Sequence, residues 1–241
     1  MSKNIVIIPT YNEIENIEAI IRAVFSLHVA FDVLIVDDSS PDGTSKKVTD
    51  LQREFPQNLN LEIRAKKSGL GTAYVHGFKW AIERNYDYIF EMDADFSHNP
   101  NDLEKLYQAC HFGGADAAIG SRYITGVNVV NWPLSRVLLS YFASVYVRLI
   151  TGMKIQDTTA GFMCYKTEVL KSIDLDKIKF IGYAFQIEMK YRAFSKNFKI
   201  CEVPIIFTDR AKGQSKMSGS IIKEAVFGVI SLRIKKMFNL L

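Results

Sequence analysis

The stretch Ile89-Phe-Glu-Met-Asp-Ala-Asp-Phe-Ser-His98 runs from an apolar, strand-like segment straight into two carboxylates separated by one residue. An Asp-x-Asp at a strand end can hold a hard cation such as Mg²⁺ or Mn²⁺ through Asp93 and Asp95, leaving other coordination positions to a diphosphate. The same residues can also do no more than open a turn before Asn99-Pro100, because Asp bonds readily to nearby backbone. What flanks the stretch decides between these readings.

Outward from it, short apolar runs alternate with amphipathic helical spacing, which predicts βαβ units and a mostly parallel sheet. Strands are expected near 4–9, 32–37, 59–64, 87–92 and 115–120, with helices near 13–27, 44–54, 71–84 and 101–111. Asn12 ahead of Glu13 and Glu15, Thr44 after Asp42-Gly43, and Pro100-Asn101-Asp102 supply helix starts. The second half changes character. It predicts a long helix from Pro133 to Ile150, another over Ala184–Ser195, short strands at 199–207, a polar mobile loop over 208–219 and a terminal amphipathic helix over 220–238. The whole chain, 1–241, is read as one α/β domain.

With 48% hydrophobic and 23% charged residues, the chain can build a substantial core. Cys110, Cys164 and Cys201 are widely spaced and contain no Cys-x-x-Cys, so neither a zinc site nor a disulfide framework is indicated, and a reducing compartment is expected. Met1 leads directly into Asn4-Ile-Val-Ile-Ile-Pro9 without the basic and apolar regions of a signal peptide. The net charge of +4 is concentrated at the C-terminal end, in Arg210, Lys212, Lys216, Lys223, Arg233, Lys235 and Lys236, which suits an anionic surface. No apolar run is expected to reach the roughly 20 residues of a bilayer span.

In open α/β sheets ligands sit beyond the carboxyl ends of the strands. Three such ends carry polar clusters: Pro9-Thr-Tyr-Asn-Glu13, Asp37-Asp-Ser-Ser-Pro-Asp-Gly43 and Asp93-Ala-Asp-Phe-Ser97. Each of the first two, taken singly, reads as a helix cap or tight turn. Together the three define one crevice. Gly69-Leu-Gly71 lacks the position and spacing of a dinucleotide fingerprint and reads as the start of a helix.

Those clusters, with Lys67-Ser-Gly-Leu-Gly-Thr-Ala73, Gly120-Ser-Arg-Tyr123, Asp157-Thr-Thr-Ala-Gly-Phe162, Gly182-Tyr-Ala-Phe-Gln-Ile-Glu188 and Arg210-Ala-Lys-Gly-Gln-Ser-Lys216, follow one another in an order that resembles the family 2 glycosyltransferases. The resemblance runs from residue 4 to about 220 and is to the polyprenyl-phosphate (dolichol-phosphate) mannose synthases within that family. It implies a GT-A fold, a Rossmann-like and mostly parallel sheet flanked by helices. It also implies inverting transfer of mannose from GDP-mannose to a polyprenyl monophosphate, giving a β-linked product and GDP. Pro9, Tyr11, Glu13, Val36 and Asp38 would line the nucleotide, with Asp38 reaching base or ribose. Asp93, Ala94, Asp95 and Ser97 would meet the diphosphate, with Asp93, Asp95 and Ser97 as the Mg²⁺ or Mn²⁺ set. Ser97 stands where several relatives carry Gln, so the two aspartates are the main ligands.

Arg136, Ser140, Ser144 and Arg148 recur every four residues on an otherwise apolar helix, on one slowly rotating face. The resemblance assigns Arg122, Arg136 and Ser140 to the acceptor phosphate, which a planar guanidinium suits; Arg148 is expected on a solvated face. Leu134, Val137, Leu138, Tyr141, Phe142, Val145 and Tyr146 read as core, with part of the set open to an isoprenoid chain. Arg210 and Lys216 would close over the diphosphate as a lid. Asp95 and Arg122 are the catalytic candidates, Asp95 through charge and metal holding. Glu188 either orients the sugar or anchors its helix.

The expected partners are therefore GDP-mannose, a polyprenyl or dolichyl phosphate and a membrane surface, with no nucleic acid, and with any membrane subunit left open. Peripheral attachment to the cytoplasmic face is expected. The alternatives are another donor, such as UDP-glucose, for the same lipid, or a non-catalytic binding module on the same fold.

Overall fold

Strand β1 (Asn4–Thr10) places Ile5 and Ile7 on one side and Val6 and Ile8 on the other, all four fully buried, so both faces of the sheet must be covered. A computed structural model describes residues 2–182, 184–209 and 219–238, with side chains in the last segment from Val226 onward. β1 lies between the parallel strands β2 (Asp32–Asp37) and β4 (Tyr88–Glu91), and β3 (Leu59–Ile63) extends the sheet beyond β2. The helices α1 (Ile17–Phe25), α2 (Thr44–Leu51), α3 (Leu70–Glu83) and α4 (Asp102–His111) connect these strands and lead to β5 (Ala117–Ser121).

The expected helix from residue 13 starts instead at Ile17, because the preceding turn is cross-linked to the second strand's loop. Glu13 N–H bonds Thr44 Oγ1 at 3.0 Å and Ile14 N–H bonds Asp42 Oδ2 at 3.1 Å. These bonds draw two strand ends into one crevice.

The C-terminal half adds a feature that the sequence reading did not contain. β7 (Met163–Lys166) inserts between β4 and β5, antiparallel to both, and β8 (Ile200–Pro204) continues the sheet parallel to β5. The order is β3-β2-β1-β4-β7-β5-β8. A separate parallel pair joins β6 (Val129–Val130) to β9 (Phe207–Thr208). Between them in the chain lie α5 (Leu134–Thr151), α6 (Thr167–Ser172), a short 3₁₀ turn at Leu175–Lys177, and α7 (Ala184–Ser195); α8 (Gly219–Met237) follows. One core layer joins Ile5, Leu34, Phe78 and Tyr165 to Phe185 of α7 and Val229 of α8; the other joins Val6, Val33 and Phe90 to α1, α2 and α4.

α5 corrects two expectations. Its 18 residues make it, among the described helices, long and apolar enough to cross a membrane by length and composition, since Arg136 and Arg148 fall only near its ends. Part of its apolar remainder is also not core: Leu134, Phe142 and Leu149 are 71%, 61% and 79% exposed, whereas Tyr146 packs against the core and Val147 is buried in it. Its polar side is what the domain holds. Ser144 is buried, Arg136 pairs with Asp209, and Arg148 bends onto the Gln156 side chain rather than standing in solvent. α8 packs alongside, with the Tyr146 hydroxyl on Val226 O at 2.9 Å.

Candidate active site

The end of β4 turns sharply. Phe96 takes φ 58°, and Ser97 N–H bonds Asp95 Oδ1 at 3.0 Å, so a short Asx turn orients the second aspartate. Asp93 and Asp95 both line a cavity of 320 Å³ at this end of the sheet. Ser97 Oγ is buried there without a partner among the described atoms. An all-oxygen set of two carboxylates and one buried hydroxyl fits a hard divalent ion with room for further oxygen ligands. No group of three His, Cys, Asp or Glu side chains able to hold a metal occurs among the described residues, so such an ion would draw its remaining oxygens from water or a ligand.

His98 supports this turn. Its Nδ1 accepts the Asp93 N–H at 3.4 Å, and its ring stacks on Phe162 at 4.8 Å and meets Phe207 edge-on at 5.3 Å. Burial pushes its pKa down to about 4, so the ring is neutral near pH 7.

The residues expected on the nucleotide side lie at the ends of β1 and β2. Asp38 is buried and accepts Arg64 Nε at 2.6 Å, while Arg64 also bonds Thr72 Oγ1 at 2.8 Å; Arg64 is a fixing residue absent from the sequence reading. Lys67 sits 4.0 Å over the Tyr11 ring, and Pro9, Tyr11 and Glu13 are partly exposed along the crevice. Two expected contacts require correction. Val36 and Ala94 are buried in the core, where strand alternation and the turn aim their side chains inward, so only their backbones can face a ligand.

Arg122 follows β5 and is 7% exposed. Its Nε and Nη2 grip Asp157 at 2.7 and 2.6 Å, Nη2 also bonds Thr159 at 2.8 Å, and the guanidinium lies 5.3 Å from the Tyr123 and Trp132 rings. Burial raises the Asp157 carboxyl's pKa, but the Arg122 charge and hydrogen bonds outweigh it, and the net shift is downward. Glu202 of β8 holds the other side of this loop by accepting the Gln156 and Asp157 N–H groups at 2.7 and 2.9 Å. Arg122 thus enters the cavity wall with its charge already balanced. Arg136 and Ser140, from α5, line the same cavity.

Glu188 is settled as an anchor: it pairs with Arg192 at 2.8 Å and accepts the Lys179 and Phe180 N–H groups. Beside it on α7, Gln186 bonds Glu91 and reaches the cavity, while Lys190 Nζ bonds Ala160 O at 2.5 Å. Burial raises Glu91 and lowers Lys190, each disfavouring its own charge. Arg210 and Lys216, and with them most of the expected lid, lie outside the described residues.

A mostly parallel sheet with an Asp-x-Asp turn at the end of a central strand, opening on a cavity that carries arginines opposite, defines a glycosyltransferase of the GT-A fold. Residues 5–174 match Glycosyl transferase family 2, and the chain belongs to that family. It is similar to the polyprenol monophosphomannose synthase of Mycolicibacterium smegmatis, 46% identical over 97% of this chain and 88% of that one. It is likewise similar to the undecaprenyl-phosphate mannosyltransferase of Micrococcus luteus, 45% identical over 92% of this chain and 90% of that one. Among solved structures, glucosyl-3-phosphoglycerate synthase from Mycobacterium tuberculosis, in complex with Mn²⁺, UDP and its product, superposes with a TM-score of 0.67 at 15% identity, covering 98% of this chain and 80% of that one.

Proposed function

We propose that the protein transfers mannose, with inversion, from GDP-mannose to a polyprenyl monophosphate of the dolichyl type, yielding polyprenyl-phosphate β-mannose and GDP. One observation carries this reading. A single cavity has Asp93 and Asp95 in one part of its wall and Arg136 and Ser140 in another, and it borders the outward apolar side of α5, where Leu139 and Phe142 also line it. An acceptor that is a phosphate on a hydrocarbon chain matches both the cations and the apolar rim. The names of the two curated relatives support the acceptor class and the sugar.

An ionised phosphate oxygen needs no strong general base. Burial holds the pKa of the histidine in the cavity wall at about 4, and its Nδ1 is engaged with the Asp93 amide, so it is a weak base, which agrees with that chemistry. The chain's task is alignment of the acceptor oxygen with the anomeric carbon, and exclusion of water. Asp93 and Asp95, with Ser97 behind them, would hold Mg²⁺ or Mn²⁺; such an ion, when bound, offsets the charge of the departing diphosphate. The Mn²⁺ in the superposed synthase supports a divalent ion here.

Because the acceptor lies in a bilayer, peripheral attachment to the cytoplasmic face of a membrane belongs to the same proposal, with or without a membrane subunit. The test is direct: purified protein, Mg²⁺ or Mn²⁺, polyprenyl phosphate and separate GDP- and UDP-sugars, with the lipid products identified by mass spectrometry and the anomer by NMR. Mannosyl lipid from GDP-mannose alone is expected. Glucosyl lipid from UDP-glucose would replace the donor assignment.

A further inference from the structure

Gln186 sits in the first turn of α7, 3% exposed, and its side chain reaches the wall of the cavity that holds Asp93 and Asp95. Its Nε2 donates to Glu91, which stands two residues before Asp93 on β4. With the amide fixed that way, Oε1 is the atom left over, and it is buried without a partner among the described atoms. Glu91 Oε1 is in the same condition. Buried polar atoms are nearly always paired, so a residual acceptor in a cavity wall indicates a donor that arrives with a ligand.

The chemistry of that donor follows from what is absent. The leftover Gln186 Oε1 is an acceptor, so a phosphate, which also offers only acceptors at neutral pH, gains nothing from it. A hydroxyl group does. The backbone is held for such a contact: Lys190 Nζ ties the Gln186 carbonyl (3.3 Å) to the Ala160 carbonyl (2.5 Å). At the neighbouring Gly161, a side-chain carbon would lie 3.7 Å from Gln186 Nε2; glycine leaves that space open.

We propose that Gln186 is a specificity-determining contact to the donor sugar, its Oε1 accepting a hydrogen bond from one ring hydroxyl of the transferred hexose. The inference rests on the reading of this cavity as the transfer site. A site built around a hydroxyl rejects the analogue lacking it, because the buried acceptor is then stranded, whereas an apolar wall discriminates weakly.

The test is a donor series, GDP-mannose and its 2-, 3-, 4- and 6-deoxy analogues, with wild type and Gln186→Leu. Wild type is expected to prefer GDP-mannose over one deoxy analogue by about 10- to 100-fold in kcat/KM, the factor set by stranding one buried neutral acceptor. Gln186→Leu should bring that one ratio down to about 3-fold, leave the ratios at the other positions in place, and leave GDP affinity unchanged. Loss of the same factor with every donor, or an intact ratio at every position, overturns the assignment. If Gln186→Leu does not fold, Gln186→Asn, which withdraws the amide by one methylene, is read by the same ratios. If wild type uses another nucleotide sugar, the donor reading fails alone, and the deoxy series of that sugar decides the role of Gln186.

Discussion

Arg136 Nη1 donates to Asp209 Oδ1 at 2.8 Å, so a guanidinium assigned to the acceptor phosphate already holds a carboxylate of its own chain. Both groups line the cavity, and both are partly exposed. Asp209 is also wired to its surroundings: its N–H bonds Val130 O, and the Thr208 N–H before it bonds Ser97 O at 3.2 Å. On the proposed reading, acceptor binding competes with a contact that leads back to the Asp-x-Asp turn. A partly exposed pair of this kind is worth about 0.5–1 kcal/mol, roughly two- to fivefold in affinity. Asp209→Asn is expected to lower the KM for polyprenyl phosphate by that factor, and Arg136→Ala to raise it; GDP titration should leave both variants near wild type, unlike Asp38→Ala. An unchanged or higher acceptor KM in Asp209→Asn would show that the carboxylate is no competitor.

Asp93→Asn and Asp95→Asn are each expected to abolish metal-stimulated transfer, at least about 1000-fold, while circular dichroism and the thermal midpoint stay close to wild type. Both side chains are only partly buried, so their loss falls on chemistry rather than packing. The Asp95 variant keeps an amide oxygen able to accept the Ser97 N–H, so hydrogen exchange in the turn should stay close to wild type. Near-normal turnover by either variant would remove the aspartates from the site.

Asp157 is different, because its effect is on the fold. Breaking a buried ion pair strands the remaining charge and costs about 3–5 kcal/mol, so Asp157→Asn should unfold at markedly lower denaturant and lose activity through a displaced Arg122. The pH dependence has a definite sign. The folded pKa lies below 3.8, so the contribution is fully present above that value and is lost as pH falls through the folded pKa. Wild type should therefore lose more stability than Asp157→Asn as the pH falls below about 4. Parallel acid limbs in the two proteins would contradict this.

How much of this was legible beforehand depends on the kind of signal. β1, β2 and β4 announce themselves through continuous apolar runs ending in polar clusters, and the Asp-x-Asp turn was readable as a possible cation site from those flanks. β7 was not, since Met163–Lys166 is short and pairs antiparallel with strands that lie far from it in the chain. Asp157 was visible only as part of a motif, because its partner Arg122 is 35 residues away and no local spacing connects them. Val36 and Ala94 were assigned as lining when strand alternation and the turn bury them. The exposed side of α5 was misread for a deeper reason: periodicity reports an apolar face, and a face turned to lipid has the same period as one turned to a core.

That exposed face leads to the prediction about the membrane. α5 and α8 lie side by side, and each exposes large apolar side chains, Leu138, Phe142 and Leu149 on the first and Phe227, Ile230 and Ile234 on the second. Of the basic residues Arg233, Lys235 and Lys236 at the end of α8, two are partly buried. Lys236 Nζ is held by Ser195 O at 2.8 Å and burial lowers the pKa of Lys235, which leaves Arg233 as the exposed cation of the three. Transfer of a Leu or Phe side chain out of water is worth about 1.5–3 kcal/mol when complete, against about 1 kcal/mol for one cation near an anionic surface. In vesicle sedimentation, Leu138→Ser with Phe142→Ser should weaken binding at least tenfold, with the thermal midpoint nearly unchanged because neither side chain is packed. Arg233→Gln should weaken it about fivefold at low salt and negligibly at high salt. If the serine pair bound vesicles like wild type while Arg233→Gln released the protein, electrostatics rather than this apolar face would be the attachment.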